Sequence, residues 1–250
     1  MKRILKIACL LLLSTGLLHG QELTGDEIMK RVERTLTAPS DQVLVEKLTL
    51  VEADGTQKSR EIKLFQKGKE KRLIVFTSPK EIEGVSFLSI SSERMYLYMP
   101  AFRKVRRIAS AVKNENFMGT DFSYEDLSET EFSKKYSIKL LNSNSDNYIL
   151  ELVPEKDSDV SYSRLIMTVD RISYYYRKTE FYDKRGRLKK VMTADDIVKK
   201  DGYWIAKKIV MKNVISEHRT EMELISVKYD TGLSDDLFSI RNLKKMGRRR

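Results

Sequence analysis

From Gln42 onward, polar and apolar side chains alternate with a period of two, the pattern of strands that bury one face. Segments 42–52, 59–67 and 71–77 alternate in this way, and Asp54-Gly55 and Lys67-Gly68 between them suit hairpin turns. Further strands are predicted at 85–91, 94–99, 103–108, 136–141, 147–153, 163–170, 174–183, 187–200, 203–213 and 217–229, with tight connections at Asp183-Lys184-Arg185-Gly186 and Asp201-Gly202. One helix precedes them. Thr24-Gly25-Asp26-Glu27 has the spacing of a capping box, and Leu23 and Ile28 flank it as a hydrophobic staple. Ile28, Met29, Val32 and Leu36 continue at helical spacing as far as Ala38-Pro39-Ser40. A second short helix is expected around Asp235 to Leu243. Parallel pairing would need crossover helices that this pattern lacks, so strands joined in sequence should pair antiparallel.

The strands divide by face. Leu165, Met167 and Val169 oppose Arg164, Ile166 and Thr168, while Met222 and Leu224 share a face with Thr220, opposite Arg219, Glu221 and Glu223. One apolar and one wetter face fit either a single strongly curved sheet wrapped around something or a β-sandwich, and the alternation leaves both open. Between Ala109 and Tyr136 the rhythm breaks. That long connection carries Phe117, Met118, Phe122 and Tyr124, too apolar for a solvated loop, and reads as a functional cover or as a plug on the core.

Residues 1–20 change the setting. Lys2, Arg3 and Lys6 precede an apolar run through Leu18, and Gly20 supplies a small residue before Gln21, the order of a cleaved secretory signal peptide. The run is broken by Ser14, Thr15 and Gly16 and falls short of the ~20 apolar residues of a membrane anchor. The expected mature chain begins at Gln21, forms one domain over 21–243 and ends in a basic tail at 244–250. Cys9, the only cysteine, lies ahead of most of the apolar run, so no lipid attachment is expected, and it leaves with the signal. Removal of Lys2, Arg3 and Lys6 takes the formal charge from +11 to +8.

Candidate chemistry is sparse. His218 is the only histidine beyond residue 20, so a Ser-His-Asp arrangement would have to use it, and its place between Glu217 and Arg219 at a strand start fits a structural or surface role. One histidine and no thiol cannot make a zinc ligand set. Asp121, Glu125 and Asp126, or Asp195 and Asp196, are carboxylate pairs that fit turn capping and ion pairing better than glycoside hydrolysis. An enzyme, a cofactor and a metal are not expected. Seven methionines, Met95, Met99, Met118, Met167, Met192, Met211 and Met222, are placed on strands or the long connection, and methionine adapts well to irregular apolar ligands. Export argues against nucleic acid as the partner of Arg103, Lys104, Arg106 and Arg107, whereas an anionic headgroup or an acidic transporter surface would attract them.

The central block is also recognisable. Met95-Tyr96-Leu97-Tyr98-Met99-Pro100, then Arg103-Lys104-Val105-Arg106-Arg107-Ile108, then Phe117-Met118-Gly119-Thr120-Asp121-Phe122-Ser123-Tyr124-Glu125-Asp126 resembles the LolA-like family of exported outer-membrane lipoprotein-sorting proteins. Tyr182-Asp183-Lys184-Arg185-Gly186-Arg187-Leu188, Gly202-Tyr203-Trp204-Ile205, Met211-Lys212-Asn213 and His218-Arg219-Thr220 extend the likeness, with Thr120 for the usual serine and Ala206 for a common proline. The resemblance implies a mainly β fold: an open, strongly curved antiparallel half-barrel with helices and a loop lidding its concave side. It implies a monomeric periplasmic carrier that holds lipoprotein acyl chains or another lipid in an apolar cavity, between an inner-membrane transporter and an outer-membrane acceptor. The alternative is a lipid-sensing regulatory protein of the same fold. Expected cavity and lid residues are Met95, Leu97, Met99, Phe117, Met118, Phe122, Tyr124, Met167, Met222 and Leu224, with Arg103, Lys104, Arg106 and Arg107 toward headgroup or partner.

Overall fold

The computed structural model describes residues 22–128 and 130–246. The predicted signal peptide and the last part of the basic tail lie outside the described residues. Thirteen strands form one open antiparallel sheet. In chain order they are β1 (Asp41–Val51), β2 (Gln57–Lys67), β3 (Lys71–Ser78), β4 (Ser86–Ser91), β5 (Arg94–Met99), β6 (Lys104–Ile108), β7 (Tyr136–Ser143), β8 (Asn147–Pro154), β9 (Arg164–Asp170), β10 (Tyr176–Tyr182), β11 (Leu188–Lys200), β12 (Tyr203–Asn213) and β13 (Arg219–Tyr229). Each matches a stretch of period-two alternation. Six begin one or two residues later than the alternation predicts, and in β6, β10 and β13 this is because Arg103, Tyr174 and Glu217 take positive φ angles of 51°, 53° and 57° and close the preceding turns.

The spatial order is β6-β5-β4-β3-β2-β1-β13-β12-β11-β10-β9-β8-β7. β1 therefore pairs with both β2 and β13 in the middle, and β6 and β7 are the two edges. This settles the choice that alternation left open in favour of a single half-barrel sheet. It also explains the long connection. A chain leaving one edge at Ile108 must cross the concave mouth to start the other edge at Tyr136, so it has an apolar face to bury.

Cross-strand rows build the concave lining. Leu44, Leu64, Ile74, Phe87 and Leu97 stand opposite one another from β1 to β5. Thr220, Met211, Met192, Thr179, Met167 and Leu150 do so from β13 to β8. Helix α1 (Gly25–Leu36) lies on this side with Ile28, Met29 and Val32 fully buried, and its capping box between Thr24 and Glu27 is formed. Gly25 is required where α1 meets β7: a Cβ there would sit 2.7 Å from the Ile138 carbonyl oxygen.

A second cluster occupies the opposite face. Phe65, Leu73, Val75, Leu88 and Tyr98, alternate to the concave row, pack against Phe238 and Leu243 of the C-terminal segment. The expected terminal helix is thus split, a 3-10 turn over Asp235–Phe238 and then α3 (Ile240–Met246) after an extended Ser239, and it covers the convex rather than the concave side. Asp41 secures this return, its carboxylate accepting from the amides of Thr231, Gly232 and Leu233 at 2.8–2.9 Å. Lys244 and Lys245 belong to the last turn of α3.

Candidate functional site

The concave face encloses a cavity of about 180 Å³. Its walls come from β1 and β2 on one side and β9 to β13 on the other, with Leu44, Leu64, Leu165, Met192, Met211 and Met222 among the apolar lining. Its roof is the segment joining the two sheet edges. Phe122, Leu127 and Phe132 point down onto the space, Leu127 from the short helix α2 (Tyr124–Ser128). A smaller cavity of about 60 Å³ adjoins it and shares Leu36, Gln42, Leu44, Glu46, Tyr175 and Ile209.

Buried polar contacts tie the roof down. Asp126 pairs with Lys190 at 2.9 Å, both side chains at most 5% exposed, and also accepts from the Tyr162 hydroxyl at 2.7 Å and the Ser123 amide at 2.8 Å. Burial pushes its carboxyl up, but the Lys190 charge and these donors outweigh that and hold it below the ordinary aspartate value. Asp121 accepts from Thr220 Oγ1 at 2.8 Å and lies 2.6 Å from His218 Nδ1. Glu125 receives the Ser161 amide and hydroxyl, and burial raises its carboxyl despite them. Glu33 of α1 accepts from the Ser133 amide at 2.7 Å. Two arginines of the sheet reach up to roof carbonyls, Arg60 to Met118 and Arg72 to Leu127, each at 2.5 Å.

Of the residues expected to line a cavity, the structure brings Phe122 and Met222 to it. Met95, Leu97, Tyr124 and Met167 are buried in the same apolar cluster but away from the space, and Met99 packs against that cluster. Phe117 is wedged among Phe76, Phe87 and Tyr124, ring centres 5.5–5.7 Å away. Met118, at φ 51°, is half-buried beside it. Leu224 packs with Leu44, Ile205 and Val227. Arg103, Lys104, Arg106 and Arg107 are exposed along the edge strand β6, next to Phe102, which is 65% exposed.

Sequence reasoning passed over much of the apolar lining, Leu44, Leu64, Leu127, Phe132 and Leu165 among it, and also the polar residues of the walls. Gln42 and Glu46 on β1, Gln66 on β2 and Arg72 on β3 all face the cavity. Each falls in the apolar register of its strand, Glu46 between Leu44 and Leu48 and Arg72 before Ile74 and Phe76, and that break in alternation was the available signal. Burial raises the Glu46 carboxyl to about 7, against the opposing pull of Arg72. The other carboxylates considered for chemistry are committed or solvated: Asp121 and Asp126 have the partners above, and Asp195 and Asp196 are exposed. Among the described residues, no three His, Cys, Asp or Glu side chains converge as a metal site, and no helix is long and apolar enough to cross a membrane.

Comparison with known proteins places this geometry. A family model described only as that of an uncharacterized protein matches residues 68–245. Among curated proteins none matches the chain. The crystal structure of an outer membrane lipoprotein-sorting protein domain from Vibrio parahaemolyticus is similar at 30% identity and a TM-score of 0.79, covering 88% of this chain and 98% of its own. A DUF1329 family protein from Desulfovibrio piger is similar at 27% identity and a TM-score of 0.80, with 88% and 97% covered. A LolA superfamily protein from Nitrosomonas europaea, at 19% identity, shares the fold with a TM-score of 0.75 over 88% of this chain and 100% of its own.

Proposed function

The chain belongs to the LolA-like family of outer-membrane lipoprotein-sorting proteins, and from that premise we propose that it is an exported carrier, not an enzyme, holding a lipid acyl chain in its concave cavity. The single observation that carries this reading is an apolar cavity whose roof is the one segment joining the two sheet edges. Each buried methylene of a lipid tail gains about 0.8 kcal/mol, so even part of a chain in this space binds usefully. The space of about 180 Å³ is close to the ~150 Å³ that takes one benzene and below the ~300–1,000 Å³ of pockets that enclose larger ligands. A whole acyl chain therefore enters as the roof lifts, with Phe122, Leu127 and Phe132 moving away from the sheet and the Arg72 bond to the Leu127 carbonyl breaking.

Capture and delivery need membrane contact at both ends of the journey. The exposed Arg103, Lys104, Arg106 and Arg107 on edge strand β6 are suited to an anionic headgroup layer or to the acidic surface of an inner-membrane transporter, at about 1 kcal/mol per basic residue near such a surface. Export to the periplasm by the segment 1–20, work as a monomer and delivery to an outer-membrane acceptor complete the proposal.

Purification of the protein from its own membranes, followed by mass spectrometry of the extracted lipid, tests it. One acyl lipid per protein, passed on to acceptor vesicles, is the expected result. Protein that carries no lipid and takes up no fluorescent acyl probe would overturn the carrier reading, and lipid that is bound but never released would favour the sensor.

A further inference from the structure

The cavity wall carries a polar group with nothing to bind. Gln42, Gln66 and Arg72 are neighbours in register across β1, β2 and β3, and the Gln42 amide and Arg72 guanidinium both donate to Gln66 Oε1, at 3.2 and 3.0 Å. Glu46 stands four residues along the same face of β1 and borders both the main cavity and its smaller neighbour. It is 6% exposed, yet its Oε2 has no hydrogen-bond partner. Buried aspartates elsewhere in the fold, such as Asp41, Asp126 and Asp170, each accept several bonds. A buried acceptor left unpaired is costly to the fold, and Glu46 borders the cavity, where an occupant can reach it.

We propose that Glu46 is the polar recognition point of the cavity and that the cargo carries a neutral hydrogen-bond donor, an amide N–H or a hydroxyl, beside its acyl chain. This rests on the carrier reading and specifies its cargo. At pH 8 the Glu46 carboxyl is ionised, so its unpaired oxygen is an acceptor and the ligand must supply a donor. A free fatty carboxylate would set a second anion against Glu46 in an apolar wall and still leave Oε2 unpaired. A fatty ammonium would meet the positive charge of Arg72, which already acts on Glu46. Amide and hydroxyl donors avoid both conflicts, and they occur in N-acylated chains and in monoacylglycerols.

The test is displacement of a neutral fluorescent acyl probe at pH 8 by laurate, lauramide and 1-monolauroylglycerol, using the full chain and its Glu46→Leu and Glu46→Gln variants. The unaltered protein should prefer the two neutral donors to laurate by about tenfold or more, the value of one buried hydrogen bond to a charged group. Glu46→Leu should bring the three ligands to within a factor of about two while leaving the melting temperature no lower, and Glu46→Gln, which keeps an acceptor oxygen, should retain part of the preference. Stronger binding of lauramide than of the glyceride would point to an N-acylated cargo, and the reverse order to a free lipid. Equal binding of all three by the unaltered protein, or an undiminished preference in Glu46→Leu, overturns this inference and leaves the carrier reading standing. Failure of all three to displace the probe overturns both.

Discussion

Replacing Glu46 with glutamine should change how stability depends on pH, and the structure gives the size of the effect. Glu46 is buried, and its carboxyl is raised from 4.5 to about 7 by loss of hydration, only partly offset by Arg72. Tyr175 and Tyr176, which feel the Glu46 charge, are themselves raised by burial and stay neutral across this range. Between pH 4.5 and about 7 the folded protein therefore keeps a proton that the unfolded chain gives up. Where the folded state binds more protons, stability falls as pH rises. The contribution of Glu46 is intact below pH 4.5 and is lost as pH passes through about 7. At about 1.4 kcal/mol for each factor of ten in acidity, the loss amounts to about 3 kcal/mol by pH 8. A glutamine amide cannot ionise, so in Glu46→Gln that loss disappears. Urea unfolding of the two proteins at intervals from pH 4 to pH 8 measures it, because every other carboxylate cancels in the difference. The variant should match the parent near pH 4 and exceed it by about 3 kcal/mol at pH 8. A difference that stays flat with pH, or a variant less stable at pH 8, would refute the claim that Glu46 is buried without compensation.

Other changes probe the frame and the roof. Gly25→Ala should lower stability by about 1–3 kcal/mol in thermal unfolding, since the new methyl meets the Ile138 carbonyl oxygen at 2.7 Å and neither backbone can easily withdraw. Asp126→Ala should cost about 3–5 kcal/mol by leaving Lys190 charged and unpaired in the interior, and the double change Asp126→Leu with Lys190→Met should recover much of it in the same denaturant assay. Arg106→Glu with Arg107→Glu should weaken sedimentation with vesicles rich in anionic lipid more than about tenfold at low salt, with little change in melting temperature, because both side chains are exposed on an edge strand.

Most of the sheet could be read along the chain because its causes are local. Alternation reports which face of each strand is buried, the positive-φ turns at Asp183–Gly186 and Asp201-Gly202 end strands where hairpins turn, and Thr24 and Glu27 cap a helix without help from elsewhere. Strand order is another matter. That β1 lies beside β13, and that the β6–β7 connection spans the mouth, follows from pairing between residues nearly two hundred positions apart, such as Gln42 with Tyr229. Without that order, Phe117 and Phe122 look alike, yet one is wedged between aromatic rings and the other faces the cavity. The methionines show the same limit: Met192, Met211 and Met222 reach the cavity while Met95 and Met167 fill the core, although all five sit on strands. Polar cavity residues were visible as faults in the alternation at Glu46 and Arg72, but their meaning depended on what stood opposite.

Photoaffinity labelling tests the central claim most directly. A palmitoyl chain bearing a diazirine near its end, loaded onto the full-length protein, irradiated and followed by peptide mapping, identifies the residues that touch the tail. The carrier account predicts labels on the cavity walls and roof, at Leu44, Leu64, Met192, Met211, Met222, Phe122 or Phe132, and loss of labelling in the presence of excess unlabelled lipid. Labels confined to exposed Phe102, Ile172 or Ile215, or spread over the surface without competition, would contradict it.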